Sequence, residues 1–153
     1  LAYFLQQPCC RLVQTAFVRL TALTLEHIRK GAKTHFKFIK KELMQWKFIT
    51  DVNQIDEIKK QPGYSLIFKH STRCSVSMMA KRRFEMDWEV IPEDTSLYFL
   101  DLISHRNISA EIAEQFKVHH ESPQILLIKD GSCVLDASHG DISADEVAEV
   151  INS

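Results

Sequence analysis

From residue 45 onward the apolar positions fall into short runs separated by polar stretches, and the period of the runs changes along the chain. Residues 46–49 suit a short strand. Asp51 precedes Val52, Ile55 and Ile58, which share one helical face, so a helix capped by Asp51 is predicted to about Lys60. Gln61-Pro62-Gly63 stops it. Residues 64–69 form an apolar run that reads as a buried strand. A helix is predicted from Ser77 to about Asp87, with Met78, Met79 and Met86 turned inward as core filler. Residues 88–94, which include Pro92, read as a connection, and 96–103 as a strand. Ser109 is expected to cap a helix through Phe116, with Ile112, Ala113 and Phe116 inward. Residues 124–129 make a third core strand. Asp130-Gly131 is a hairpin signal, and 133–137 is the returning strand. Ser143 caps a last helix with Val147, Val150 and Ile151 inward, and Asp145 and Glu146 in its first turn suit the helix dipole.

The predicted order is therefore βαβαβαββα. Strands joined by crossover helices imply parallel pairing, and the closing pair of strands is an antiparallel hairpin. An α/β fold follows, with a mixed central sheet flanked by helices.

Composition adds a boundary. The whole chain has a net charge of −1, yet residues 1–43 hold eight of the nineteen basic residues and two of the twenty acidic ones. That leaves +6 before the break and −7 after it. The basic segment 1–43 admits three readings: a targeting peptide, a basic amphipathic helix for a membrane surface or acidic partner, or a stretch outside the working protein, with Met44 as initiator. The last is the expectation, which leaves 44–153 as the domain. A helix is predicted from about Cys10 to Arg29. Cys9-Cys10 and Lys37, Lys40 and Lys41 read as exposed thiols and a solvated basic face. No apolar run approaches the roughly 20 residues of a membrane span. Four cysteines in 153 residues do not make a disulfide framework, so a reducing, cytoplasmic setting is expected. No Gly-rich phosphate loop or basic-aromatic nucleic-acid surface stands out.

Candidate chemistry concentrates at Cys74. The strand over 64–68 gives way to small polar residues, and a helical pattern begins at once. A cysteine at that junction meets unpaired N–H groups and the positive end of the helix dipole, which favour thiolate, the reactive form. A dithiol motif would place a second cysteine three residues on; that position is Ser77. Ser77 could hydrogen-bond the thiolate or simply help start the helix. Arg73 and His70 are candidate local cations, or equally a solvated arginine and a strand-end histidine. Cys133 begins the strand after the distal hairpin. A six-residue strand separates its ends by roughly 15–20 Å, whereas a disulfide needs Cα atoms within about 7 Å. Cys133 therefore reads as a small buried hydrophobe.

Cys74 at a strand-to-helix junction, Ser122-Pro123 before an apolar strand and the Lys129-Asp130-Gly131 hairpin together resemble the thioredoxin-like fold. More closely, Lys69-His70-Ser71-Thr72-Arg73-Cys74-Ser75-Val76-Ser77 and Glu121-Ser122-Pro123-Gln124 resemble the monothiol bacilliredoxin (YtxJ-type) family over residues 45–153. The resemblance implies thiol–disulfide exchange at Cys74, with Ser77 beside it. It implies removal of bacillithiol, as co-substrate, from S-thiolated proteins under oxidative stress, with no bound cofactor. A cis Ser122-Pro123 bond is implied too, with Ser122 and Pro123 receiving an extended substrate segment and Arg73 contributing to binding. Two other classes compete: an iron–sulfur cluster carrier using one cysteine per subunit, and a redox-inert interaction domain. The adjacent pair His119-His120 would point to opposite faces of a strand, which disfavours zinc.

Overall fold

The computed structural model describes residues 45–153. The expectations for residues 1–43, including the helix over 10–29, the Cys9-Cys10 pair and the lysine cluster, lie outside the described residues.

Among the described residues, five strands and four helices follow in the predicted order. They are β1 (Lys47–Phe48), α1 (Asn53–Lys60), β2 (Tyr64–His70), α2 (Ser75–Asp87), β3 (Ser96–Asp101), α3 (Arg106–Phe116), β4 (Gln124–Lys129), β5 (Ser132–Ser138) and α4 (Ala144–Asn152), with a 3₁₀ turn at Trp88–Val90. The sheet order is β1-β3-β2-β4-β5. Strands β1, β2 and β3 are mutually parallel, as crossover connections require. Strand β4 departs from the parallel expectation: a helix also leads into it, yet it runs antiparallel to β2. It pairs with β5 as the predicted hairpin.

The central strands are buried on both faces, which explains their unbroken apolar runs. One core layer joins Leu66, Phe68, Phe84, Trp88, Phe99 and Val147, on the side of α2 and α4. The other joins Ile55, Ile58, Ile67, Ile108, Ile112 and Phe116, on the side of α1 and α3. The hairpin turn needs its glycine. Gly131 has φ +81°, and a Cβ there would stand 2.7 Å from the Lys59 carbonyl oxygen.

Several local expectations are corrected. Helix α2 starts at Ser75, not Ser77, and its methionines face outward: Met78, Met79 and Met86 are 52%, 72% and 62% exposed. The inward face is Ser77, Ala80 and Phe84. At 100° per residue, Met79 and Met86 fall on the side opposite Ser77 and Phe84. Helix α3 starts at Arg106, so Ser109 lies inside it, buried, rather than capping it. Strand β3 ends at Asp101 because that carboxylate accepts the Ile103 N–H and the Ser104 hydroxyl, closing a turn. Val52, not Asp51, is the N-cap of α1 and is exposed rather than part of its inner face; Asp51, one residue before, accepts the Asn53 N–H at 2.8 Å. Ser143 caps α4 by accepting the Glu146 N–H.

Candidate active site

Strand β2 delivers the site. Its last residue, His70, is buried, and four residues on Cys74 is the N-cap of α2, in extended conformation. The intervening loop is held at both ends. The His70 carbonyl accepts the Leu102 N–H at 2.9 Å, and the Ser71 carbonyl accepts the Cys74 N–H at 3.1 Å. Thr72 donates to Asp101 at 3.4 Å. The Cys74 carbonyl accepts the Met78 N–H, the first bond of the helix. The Cys74 thiol is free and the residue is half-buried. Arg73 beside it is exposed, as are Val76, Met78 and Met79 on the first turns of α2. The thiol thus sits at a helix N-terminus with an apolar, solvent-facing rim.

Ser77 is fully buried. Its Oγ accepts the Ser71 N–H at 3.0 Å and lies 2.7 Å from Nδ1 of His70. His70 packs between Phe68 and Phe99, with ring centroids 6.3 and 5.3 Å away. Burial, helped by Lys81, pushes its pKa below the ordinary 6.5, against the pull of Asp101 and Glu85. His70 is therefore neutral at pH 7, and the expectation of a cation beside the thiol is corrected for this residue.

The proline segment meets β2 from the other side. Gln124 pairs with Lys69 in the antiparallel ladder, so the next residues in each direction, Pro123 and His70, stand at the same end of the sheet. The Ser122-Pro123 bond is cis, as the fold resemblance implied. Pro123 is buried, and its carbonyl accepts the His139 N–H at 3.0 Å. The Ser122 hydroxyl oxygen is shielded from solvent and has no hydrogen-bond partner among the described residues.

A buried polar cluster under this segment escaped the sequence reading. Lys69 is fully buried, and its Nζ lies 2.9 Å from Gln124 Oε1 and 3.0 Å from His120 Nδ1. Gln124 in turn donates to the His119 carbonyl and accepts the Glu121 N–H. Burial lowers the Lys69 pKa to about 8, with Glu121 opposing. The signal was present: Lys69 is the one charged residue in the strand run Tyr-Ser-Leu-Ile-Phe-Lys-His.

Cys133 stands apart from Cys74. It pairs with Ile128 at the far end of β4, while Lys69 and Gln124 mark the near end. Its Sγ donates to the Leu135 carbonyl, and burial pushes its pKa to about 11. It is a poor nucleophile at neutral pH, and it is half-buried against the core rather than fully buried as expected.

Over residues 47–147 the chain matches the family described as monothiol bacilliredoxin BrxC. Among solved structures it resembles a candidate oxidoreductase with a thioredoxin fold at 28% identity and TM-score 0.59, covering 67% of this chain and 89% of that one. It also resembles a thioredoxin from Trypanosoma brucei brucei (12% identity, TM-score 0.57, 71% and 93% covered). A mutant thioredoxin from Halobacterium salinarum matches likewise (17% identity, TM-score 0.52, 69% and 86% covered). The last two speak for the fold alone.

Proposed function

The chain belongs to the monothiol bacilliredoxin family, and on that basis we propose that it removes bacillithiol from mixed disulfides on S-thiolated proteins through Cys74. That it is a thioredoxin-fold thiol oxidoreductase follows from the family and the fold. The observation supporting the finer reading is a half-exposed free thiol at the N-cap of α2 with a serine, not a second cysteine, at the resolving position.

The reaction is two successive exchanges. The Cys74 thiolate attacks the bacillithiol sulfur of the mixed disulfide. A new S–S bond forms, the old one breaks, and the substrate cysteine leaves as thiolate and takes a proton from water. Cys74 now carries the small thiol. Ser77 has no sulfur, so a second bacillithiol thiolate must attack the outer sulfur of the adduct. That step frees Cys74 as thiolate and releases bacillithiol disulfide. No bound cofactor takes part.

Recognition divides between two surfaces. Bacillithiol, like glutathione, carries carboxylates, and the exposed guanidinium of Arg73 next to the thiol can receive one. The protein substrate would lie against Val76, Met78 and Met79 and pair with the Ser122 backbone as an added strand. The shielding of the Ser122 hydroxyl leaves that contact to main-chain groups. A reducing compartment such as the cytosol, during oxidative stress, is where these substrates and the reducing thiol coexist.

Mass spectrometry after exposure to oxidised bacillithiol and, separately, oxidised glutathione tests the proposal. One adduct is expected, on Cys74, formed faster with bacillithiol and abolished by Cys74→Ser. Adducts confined to Cys9, Cys10 or Cys133 would rule the proposal out.

A further inference from the structure

A fully buried amine lies under the proline segment. Burying an ammonium costs stability unless its donors are matched. Among the described residues the hydrogen-bond partners of Lys69 Nζ are Gln124 Oε1 at 2.9 Å and His120 Nδ1 at 3.0 Å. These two residues flank Ser122-Pro123, one on each side. Below about pH 8 the amine is an ammonium, with three protons and no lone pair. His120 Nδ1 is therefore the acceptor and its ring is neutral; burial and the nearby ammonium hold its pKa below 6.5. Ser109 Oγ of α3 stands 3.3 Å from the same nitrogen. Gln124 closes the segment on itself: its Oε1 accepts the Glu121 N–H at 3.3 Å, and its Nε2 donates to the His119 carbonyl at 2.8 Å. That closed turn needs fixing to its neighbours. Gln124↔Lys69 is the last pair of the β2–β4 ladder, so main-chain pairing with β2 stops where the segment begins. On the β5 side, the Pro123 carbonyl accepts the His139 N–H at 3.0 Å. On the β2 side, the tie is the Lys69 side chain, one residue before the strand ends and five before Cys74.

We propose that Lys69 is a positioning residue for the protein substrate: its amine ties the turn 119–124 to the strand that delivers Cys74, and so presets the Ser122 main chain on which a substrate strand pairs. This rests on the reading of Cys74 and Ser122 as the site of an S-thiolated protein. Among the described residues the amine makes no hydrogen bond to the Cys74 loop, so its action is on the segment and not on the sulfur. The effect is preorganisation. A segment held in place before binding loses little freedom when a substrate strand adds to it. A loosened one must be ordered at that moment, and the cost falls on KM rather than kcat. Oxidised bacillithiol has no polypeptide to add as a strand, so its exchange is insensitive to the tie. The same role accounts for a buried charge that stability alone disfavours.

Lys69→Met fills the site without the amine. In the full chain it should raise KM for an S-thiolated protein about tenfold, with kcat and exchange with free oxidised bacillithiol each within about twofold. Amide hydrogen exchange, read by mass spectrometry, should quicken about fivefold in a peptide spanning 119–122 and stay unchanged in one spanning α4. His120→Ala, at an exposed position, removes one of the two partners and should raise KM about fivefold, the effect expected for one hydrogen bond. Combined with Lys69→Met it should add nothing, because both changes break the same contact. A KM unchanged in Lys69→Met, an equal loss with the protein and the free disulfide, or additive effects of the two changes would overturn the inference. An unmodified protein that takes no bacillithiol from an S-thiolated protein refutes the proposed function. Hydrogen exchange then decides the tie by itself: a rate over 119–122 that is the same with and without the amine refutes it.

Discussion

Replacing Lys69 by methionine isolates the energetic cost of a buried amine beneath the proline segment. The side chain is fully buried in the α1/α3 side of the sheet, and burial lowers its pKa from 10.5 to about 8. Between these values the unfolded chain holds a proton that the folded chain does not. Stability attributable to Lys69 therefore rises as pH climbs through that window, and below about pH 8 the full penalty applies. At 1.36 kcal/mol per pH unit the gap amounts to about 3 kcal/mol. Lys69→Met lacks this titration. It also leaves few orphans: Gln124 Oε1 keeps the Glu121 N–H at 3.3 Å, and His120 Nδ1 keeps Ser109 Oγ at 3.3 Å. Cys133 works in the opposite sense. Its pKa is raised from 9.0 to about 11, so its contribution is complete below pH 9 and is lost as pH rises through about 11. Both proteins share that term, and it cancels in their difference. Urea unfolding of the two proteins at several pH values from 7 to 10.5 is the assay. The variant's advantage should shrink by about 3 kcal/mol across the range, with a slope no steeper than 1.36 kcal/mol per pH unit. A difference that stays constant to within about 0.5 kcal/mol would refute the reasoning, because it would mean that the amine is hydrated in the folded protein.

Three further outcomes follow from the geometry. Met78→Glu places a charge on an exposed side chain one helical turn on from Cys74; it should lower kcat/KM about tenfold toward an S-thiolated protein while leaving exchange with free oxidised bacillithiol within about twofold, as paired kinetic assays would show. Gly131→Ala forces a Cβ against the Lys59 carbonyl at positive φ; urea or thermal unfolding should register a loss of about 1–3 kcal/mol. Ser77→Cys supplies the missing sulfur three residues after Cys74; mass spectrometry should find an intramolecular disulfide and released small thiol in place of a persistent adduct.

Local pattern carried much of this protein's description. Ile55 and Ile58 in α1, the Ser143 cap of α4 and the apolar runs of β2 and β4 are legible because each is a burial or capping preference acting within a few residues. The placement of Cys74 between β2 and α2, and the serine at position 77, are equally plain in the chain. Helix phase was harder. Met78, Met79 and Met86 look like core residues, yet the face that docks on the sheet is set by Ser77, Ala80 and Phe84, a choice made by where the sheet lies.

The order of elements, a thiol at a helix tip and a serine three residues after it were therefore determined by the residue string. Tertiary structure alone decided the chemistry around that thiol. Only folding turns His70 from a prospective cation into a neutral partner of Ser77, and only the pairing of β2 with β4 brings Lys69 to Gln124 and His120. The physical reason is range. Caps and apolar periods act between near neighbours, whereas desolvation and a 2.9 Å bond across 55 residues exist only once distant strands have closed over the groups concerned.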